Sequence, residues 1–232
     1  MNIRAREDEL FQAWRRKYAD ASFVIDGCPN PFVYEKQDRK IVFVLKDGNL
    51  GTPDPSESID ERTYNQRDEL EKQPTPWWRT LALWSFFLEN PSATWQMGEN
   101  SVSDQQSIRD ALSRHCIVQL KKTWGIGSVK KNVLQNTANT DKDEITKQLS
   151  IYTPNFIVCC GNGDHLAEIL CCRNSGYRKT SDGIGYWKAM LKNGSAFLVD
   201  YCHPSIRVGT KVKGIVAKGL ISAITEIESK EH

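Results

Sequence analysis

The segment Ile41-Val42-Phe43-Val44-Leu45 is apolar at every position, with no polar residue alternating through it. Successive side chains of a strand point to opposite sides of a sheet, so a strand of this kind must be covered on both faces. A parallel sheet held between two layers of helices gives that cover. The run stops abruptly at Lys46-Asp47-Gly48-Asn49, where the strand must leave the sheet.

Residues 115–120 and 155–160 are rich in apolar and β-branched residues and read as further strands, and residues 186–191 and 195–201 flank Asn193-Gly194, a strong hairpin signal. Between them the apolar period changes to that of helices. Residues 4–20 carry Leu10, Phe11, Trp14 and Tyr18 on one face, and Pro76 opens an aromatic-rich helix over 76–88. Residues 141–151 and a stretch running through Cys171 follow. Residues 209–228 close the chain with Val212, Ile215, Val216, Leu220, Ile221 and Ile224 at helical spacing. This alternation predicts an α/β fold: a three-layer α/β/α sandwich around a central, mostly parallel sheet. With 232 residues we expect a single domain over 1–232, with residues 1–30 as an N-terminal helical extension. Residues 50–73, rich in Gly, Pro, Ser and Asp, form a long loop, and connections of that length are usually functional or mobile.

Charge says little in total, since 31 Lys and Arg against 29 Asp and Glu leave a net +2. Any preference for a polyanion must come from local clusters. No apolar run approaches the ~20 residues that span a bilayer, and the first residues lack the apolar core of a signal peptide. A soluble, cytoplasmic monomer without a membrane partner is expected. Seven cysteines, two pairs of them vicinal (Cys159-Cys160 and Cys171-Cys172), make a poor disulfide framework and suit reduced thiols. No Cys-x2-Cys pair supports zinc or an iron-sulfur cluster, so we expect no metal and no cofactor.

In open α/β sheets, sites lie beyond the carboxyl ends of the strands. Four exits therefore hold the candidates: 46–49, 119–122, 161–164 and 203–205. Taken alone, Asp47-Gly48-Asn49 reads first as a turn, with Asp47 orienting a water or stabilising a developing cation as the alternative. His203-Pro204-Ser205 follows an apolar run and precedes Ile206-Arg207-Val208-Gly209-Thr210-Lys211, where amides at a helix start and cations suit a phosphate backbone. The segment 121–131 sets Lys121, Lys122, Lys130 and Lys131 around Trp124, Gly125, Gly127 and Ser128, a pattern suited to a nucleic-acid backbone and a stacked base or to a solvated loop. Gly161-Asn162-Gly163 lacks the third glycine of a dinucleotide fingerprint.

Taken in order, these exits resemble the uracil-DNA glycosylase superfamily. That family's first motif closes the first core strand and typically reads Gly-Gln-Asp-Pro or Gly-Met-Asn-Pro; here Val44-Leu45-Lys46-Asp47-Gly48-Asn49 sets Asp47 at its water-positioning residue, with Gly48 in place of the proline. Its last motif, His-Pro-Ser, is matched residue for residue by His203-Pro204-Ser205. Ile206 and Arg207 fall where the family places a duplex wedge. Gln119 is the nearest counterpart of the asparagine that reads the base on the second core strand.

The resemblance implies a four-stranded parallel sheet and a monofunctional DNA glycosylase that flips out a non-standard pyrimidine and leaves an abasic site. The departures at Gln119 and Gly48 favour a modified cytosine, such as glucosylated hydroxymethylcytosine in phage DNA, over uracil. Asp47 and His203 would be catalytic. Gln119, Asn49 and Phe32 would recognise the base, Phe32 alongside Tyr34 or the Trp77-Trp78 pair as an aromatic platform, although Trp77, Trp78 and Trp84 also suit the core. Lys121, Lys122, Ser128, Ser205, Ile206, Arg207 and Lys211 would contact DNA. A glycosylase-fold module that binds DNA or regulates without catalysis is the main alternative. The absence of a Gly-x-Ser-x-Gly elbow and of a P-loop argues against a small-molecule hydrolase or nucleotide-binding enzyme.

Overall fold

The chain was analysed as a computed structural model that describes residues 2–18, 22–47, 63–69, 76–123, 130–174, 176–205 and 210–231, with the backbone alone for 47, 68, 69, 76 and 210–213. In chain order the elements are α1 (Ile3–Lys17), β1 (Phe23–Ile25), α2 (Pro31–Glu35), β2 (Ile41–Asp47), β3 (Thr63–Asn65), α3 (Gln66–Glu69), α4 (Pro76–Glu89), α5 (Trp95–Ser101), α6 (Gln105–Leu112), β4 (Cys116–Lys121), α7 (Lys131–Thr140), α8 (Lys142–Tyr152), β5 (Phe156–Cys160), α9 (Gly163–Ile169), β6 (Arg178–Lys179), β7 (Gly185–Leu191), β8 (Gly194–Tyr201) and α10 (Thr210–Glu231). Several helices begin at side-chain caps: Asn2, Asn30, Thr94 and Asp104 accept from the amides of Ala5, Val33, Met97 and Ser107.

The main sheet has the order β4-β2-β5-β8-β7-β6. Its first four members are parallel to their neighbours, and β7 and β6 are antiparallel. The expected sheet of four parallel strands is thus corrected to a mixed sheet of six. The reason is local: the turn after Leu191 folds β7 straight back onto β8 with Leu191 opposite Gly194, and a return strand of that kind pairs antiparallel and widens the sheet. β6 then adds to the edge of β7.

The fully apolar strands separate two cores. Val42, Val44, Val118, Ile157 and Leu198 face a layer built by α1, α7, α8 and α9. Ile41, Phe43, Leu45, Ile117, Val158 and Val199 face the other, which contains α4, α6 and α10. Trp78 and Trp84 belong to this second core. Residues 1–30 are not appended to the domain, because Ile3, Phe11 and Trp14 of α1 are buried in the first core. After β1 the chain runs along β4, where Gly27 and Ile117 exchange backbone hydrogen bonds at 2.8 Å and Val24 donates to the Lys122 carbonyl at 2.7 Å. That pairing covers an otherwise open sheet edge. Gly27 is required there: its φ is +113°, and a Cβ would lie 2.2 Å from the buried Glu7 carboxylate.

The connection from β2 to β4 runs through α4 and α6 on one face, and the connection from β4 to β5 runs through α7 and α8 on the other. The strand order therefore reverses between β2 and β5, which makes their carboxyl ends a topological switch point where α/β sheets open a crevice.

His115, at the start of β4, is buried with its ring edge-on to Phe43. Ser85 Oγ donates to the Ala111 carbonyl, so His115 Nε2 donates to Ser85 Oγ across 2.7 Å and the ring is neutral. Burial, reinforced by Arg114, pushes its pKa down to about 3 from 6.5. The unfolded chain protonates near 6.5 while the folded ring resists, so stability present above pH 6.5 is lost as pH falls toward 3, at about 1.4 kcal/mol per pH unit. Urea unfolding between pH 7 and 4.5 should show a shallower acid decline for His115→Leu than for the wild type; parallel curves would contradict this account.

Candidate active site

His203 leaves β8 on a short turn and is half-buried. The Ser205 amide donates to His203 Nδ1 at 3.2 Å, and the Ser205 hydroxyl lies 2.7 Å from the same nitrogen. With Nδ1 serving as acceptor, the proton of the neutral ring sits on Nε2, which becomes its donor. Burial lowers the His203 pKa below the usual histidine value, and the nearby Lys46 ammonium lowers it further. The imidazole is therefore neutral at neutral pH, with its tautomer fixed by its own turn. Proline at 204 stiffens that turn, while Ser205 stays exposed.

Beside this turn the exits of β2 and β5 open a cavity of about 350 Å³ lined by Lys46, Lys131, Asn162, His165, Asp164 and Asp200 together with Leu134, Gly161 and Gly163. Its size falls within the roughly 300–1,000 Å³ of small-molecule sites. Gly161, with φ +73°, is the hub: a Cβ there would meet Lys46 Nζ at 3.4 Å and His203 Cβ at 3.8 Å. Three strand exits thus converge on a residue that must have no side chain. A Cβ at Gly163 would lie 2.4 Å from Asp200 Oδ1, so glycine lets the Asp200 carboxylate reach the start of α9. Burial raises the Asp200 pKa and Asp164 raises it further, against the hydrogen bond from the Gly163 amide. Burial lowers that of His165, with help from Lys131. Asn162 donates from Nδ2 to the Val44 carbonyl at 3.0 Å, and its buried Oδ1 has no hydrogen-bond partner among the described residues.

The sequence-predicted residues divide. Asp47 ends β2 opposite Lys121, which sets its backbone at the switch point. Asn49, Ser128, Ile206, Arg207, Trp124 and most of the 50–73 loop lie outside the described residues, and Lys211 is described by its backbone in α10. Gln119 is corrected as a base reader. It is fully buried in β4, its side-chain amide donates to Gln66 Oε1 at 2.9 Å, and its backbone amide donates to Asp26.

Lys121 and Lys122 are corrected as DNA contacts. Lys121 is buried and donates to the Thr123 carbonyl, and Lys122 is fully buried with its ammonium 2.5 Å from Asp26 Oδ2. The basic segment splits at the end of the strand, because the continuous burial of β4 extends through its first two residues. Lys130 and Lys131, at the start of α7, are exposed. Phe32 is exposed on α2, which leads into the amino end of β2, and Tyr34 of the same helix donates to the Tyr152 carbonyl just ahead of β5. That is the end of the strands away from His203, so Phe32 is corrected as a base platform.

Lys46, Asn162, Asp164, His165 and Asp200 were not singled out from the sequence. Lys46, Asn162 and Asp164 fall inside two of the four strand exits, and that position was their available signal. Nothing local marks Asp200 within an otherwise apolar strand.

No protein-family model matches the chain, and no curated protein matches it in sequence.

Proposed function

We propose that the protein is a DNA glycosylase that hydrolyses the N-glycosidic bond of a flipped-out non-standard pyrimidine, a modified cytosine or uracil. The observation that carries this reading is His203: a neutral imidazole with Nδ1 tied to Ser205 and Nε2 left as donor, at a strand exit beside a switch-point cavity. Breaking the bond sends its electron pair onto the base and leaves cationic character on the sugar. A fixed N–H donor stabilises the first charge without reorganising as it forms. A carboxylate supplied by Asp47, the residue that ends β2, serves the second by orienting the attacking water, whose proton it takes. The water oxygen bonds to C1′, and the base departs with a proton in place of the sugar. Exposed Lys130 and Lys131 at the mouth supply positive charge for a DNA backbone.

Incubation with uracil-containing DNA, and with hydroxymethylated or glucosylated viral DNA, should yield alkali-labile abasic sites on at least one of them. Full activity in both Asp47→Ala and His203→Ala would contradict the assigned roles. Salt-sensitive DNA binding with no abasic sites on any substrate would instead identify a binding module.

A further inference from the structure

Lys46 is one of the cavity residues that the glycosylase reading leaves unused. It is half-buried at the end of β2. Its ammonium takes no hydrogen bond or ion pair among the described residues, although Asp164 and Asp200 line the same cavity. The Asp200 carboxylate is engaged by the Gly163 amide. Lys46 Nζ and His203 Cβ both lie against Gly161, and the Lys46 charge lowers the imidazole's proton affinity. A half-buried cation without a counter-ion among the described residues, beside a fixed neutral donor, is arranged for an anion that forms between them.

We propose that Lys46 is a second catalytic group on the base side of the site, sharing with His203 Nε2 the negative charge that arrives on the pyrimidine oxygen as the glycosidic bond breaks. The inference rests on the glycosylase reading and deepens it by naming the substrate class. A donor pair that includes a full positive charge serves bases that leave poorly, and cytosine derivatives carry charge less readily than uracil. The step stays balanced: the bond pair moves to the base, water adds to C1′, and the proton lost by water ends on the base. Lys46 moves no proton and contributes only its field and a hydrogen bond.

The test uses the full chain with single-turnover rates on DNA containing 5-fluorouracil, uracil or 5-hydroxymethylcytosine, a series from good to poor leaving group. Lys46→Gln should lose about 10²-fold on the poorest leaving group that the wild type accepts and clearly less on the better ones. Lys46→Arg should keep most of the rate. An NMR titration of His203 supplies a readout apart from activity, and Lys46→Gln should raise its pKa toward the ordinary histidine value. Lys131, His165, Asp164 and Asp200 are the other titratable or charged groups of the cavity and are unchanged by the substitution.

A loss equal for all bases and confined to KM would make Lys46 a phosphate contact and overturn the proposal. An unaltered rate in Lys46→Gln with an active wild type would also overturn it. A wild type that releases no base from any substrate overturns the glycosylase reading itself, and this inference with it.

Discussion

His203→Ala is expected to slow base release about 10²–10³-fold while leaving thermal unfolding nearly unchanged, because removing one preorganised donor has an effect of that order. The side chain is half-buried on an external turn, and among the described residues its hydrogen bonds go to Ser205 two residues on, so few packing contacts depend on it. A structural histidine would behave in the opposite way, with stability falling and the rate per folded molecule preserved. Ser205→Ala separates the two parts of the arrangement. It removes the hydroxyl that helps hold Nδ1 as acceptor but leaves the Ser205 amide doing the same. A loss of about tenfold or less is expected, smaller than for the ring itself. Single-turnover rates with enzyme in excess, beside melting curves for each variant, check both expectations.

The largest stability effect is expected at Lys122. Its ammonium is fully buried against Asp26, 5.0 Å from the Trp14 ring centroid and 5.6 Å from that of Phe11. Burial pulls its pKa down and Asp26 opposes that shift. Asp26 also accepts from Gln148 at 2.7 Å and from the Gln119 amide at 2.6 Å, and Gln148 continues through Tyr152 to the buried Glu7 of α1. The network therefore joins α1, the segment after β1, β4 and α8. Lys122→Ala leaves the Asp26 carboxylate buried without its cation, which should cost about 3–5 kcal/mol. Replacing both partners by apolar residues, Asp26→Leu with Lys122→Met, should cost less than that single change, since no charge is then stranded. Urea unfolding of the three proteins is the check. A single change costing less than about 1 kcal/mol would show that the pair is not held away from water.

The strands were readable because burial on both faces leaves an uninterrupted apolar run, as at residues 41–45, and the two core layers follow from the same pattern. The second, smaller sheet of β1 and β3 was not readable, since strands of three residues carry too little periodicity. The extra strands of the main sheet were implied by the hairpin at Asn193-Gly194, whose return arm has to pair somewhere. Within the site, His203 stood out because proline and serine follow it at the end of an apolar run. Lys122 was misread because a buried lysine and a surface lysine are the same letter; its partner Asp26 lies 96 positions away. Gln119 was misread for a related reason, as an amide in a buried strand suits either a ligand or a neighbour such as Gln66. Lys46 and Asp200 become visible as site residues only when three strand ends are brought around Gly161 and Gly163.

The most direct test of the glycosylase account is mass spectrometry of the small molecules released when the wild-type protein acts on DNA carrying uracil, hydroxymethylcytosine or glucosylated hydroxymethylcytosine. The account predicts a free base of matching mass from at least one of these DNAs, in step with abasic sites, and its near-disappearance with His203→Ala. Intact DNA and no free base in all three, from protein shown to be folded, would contradict it.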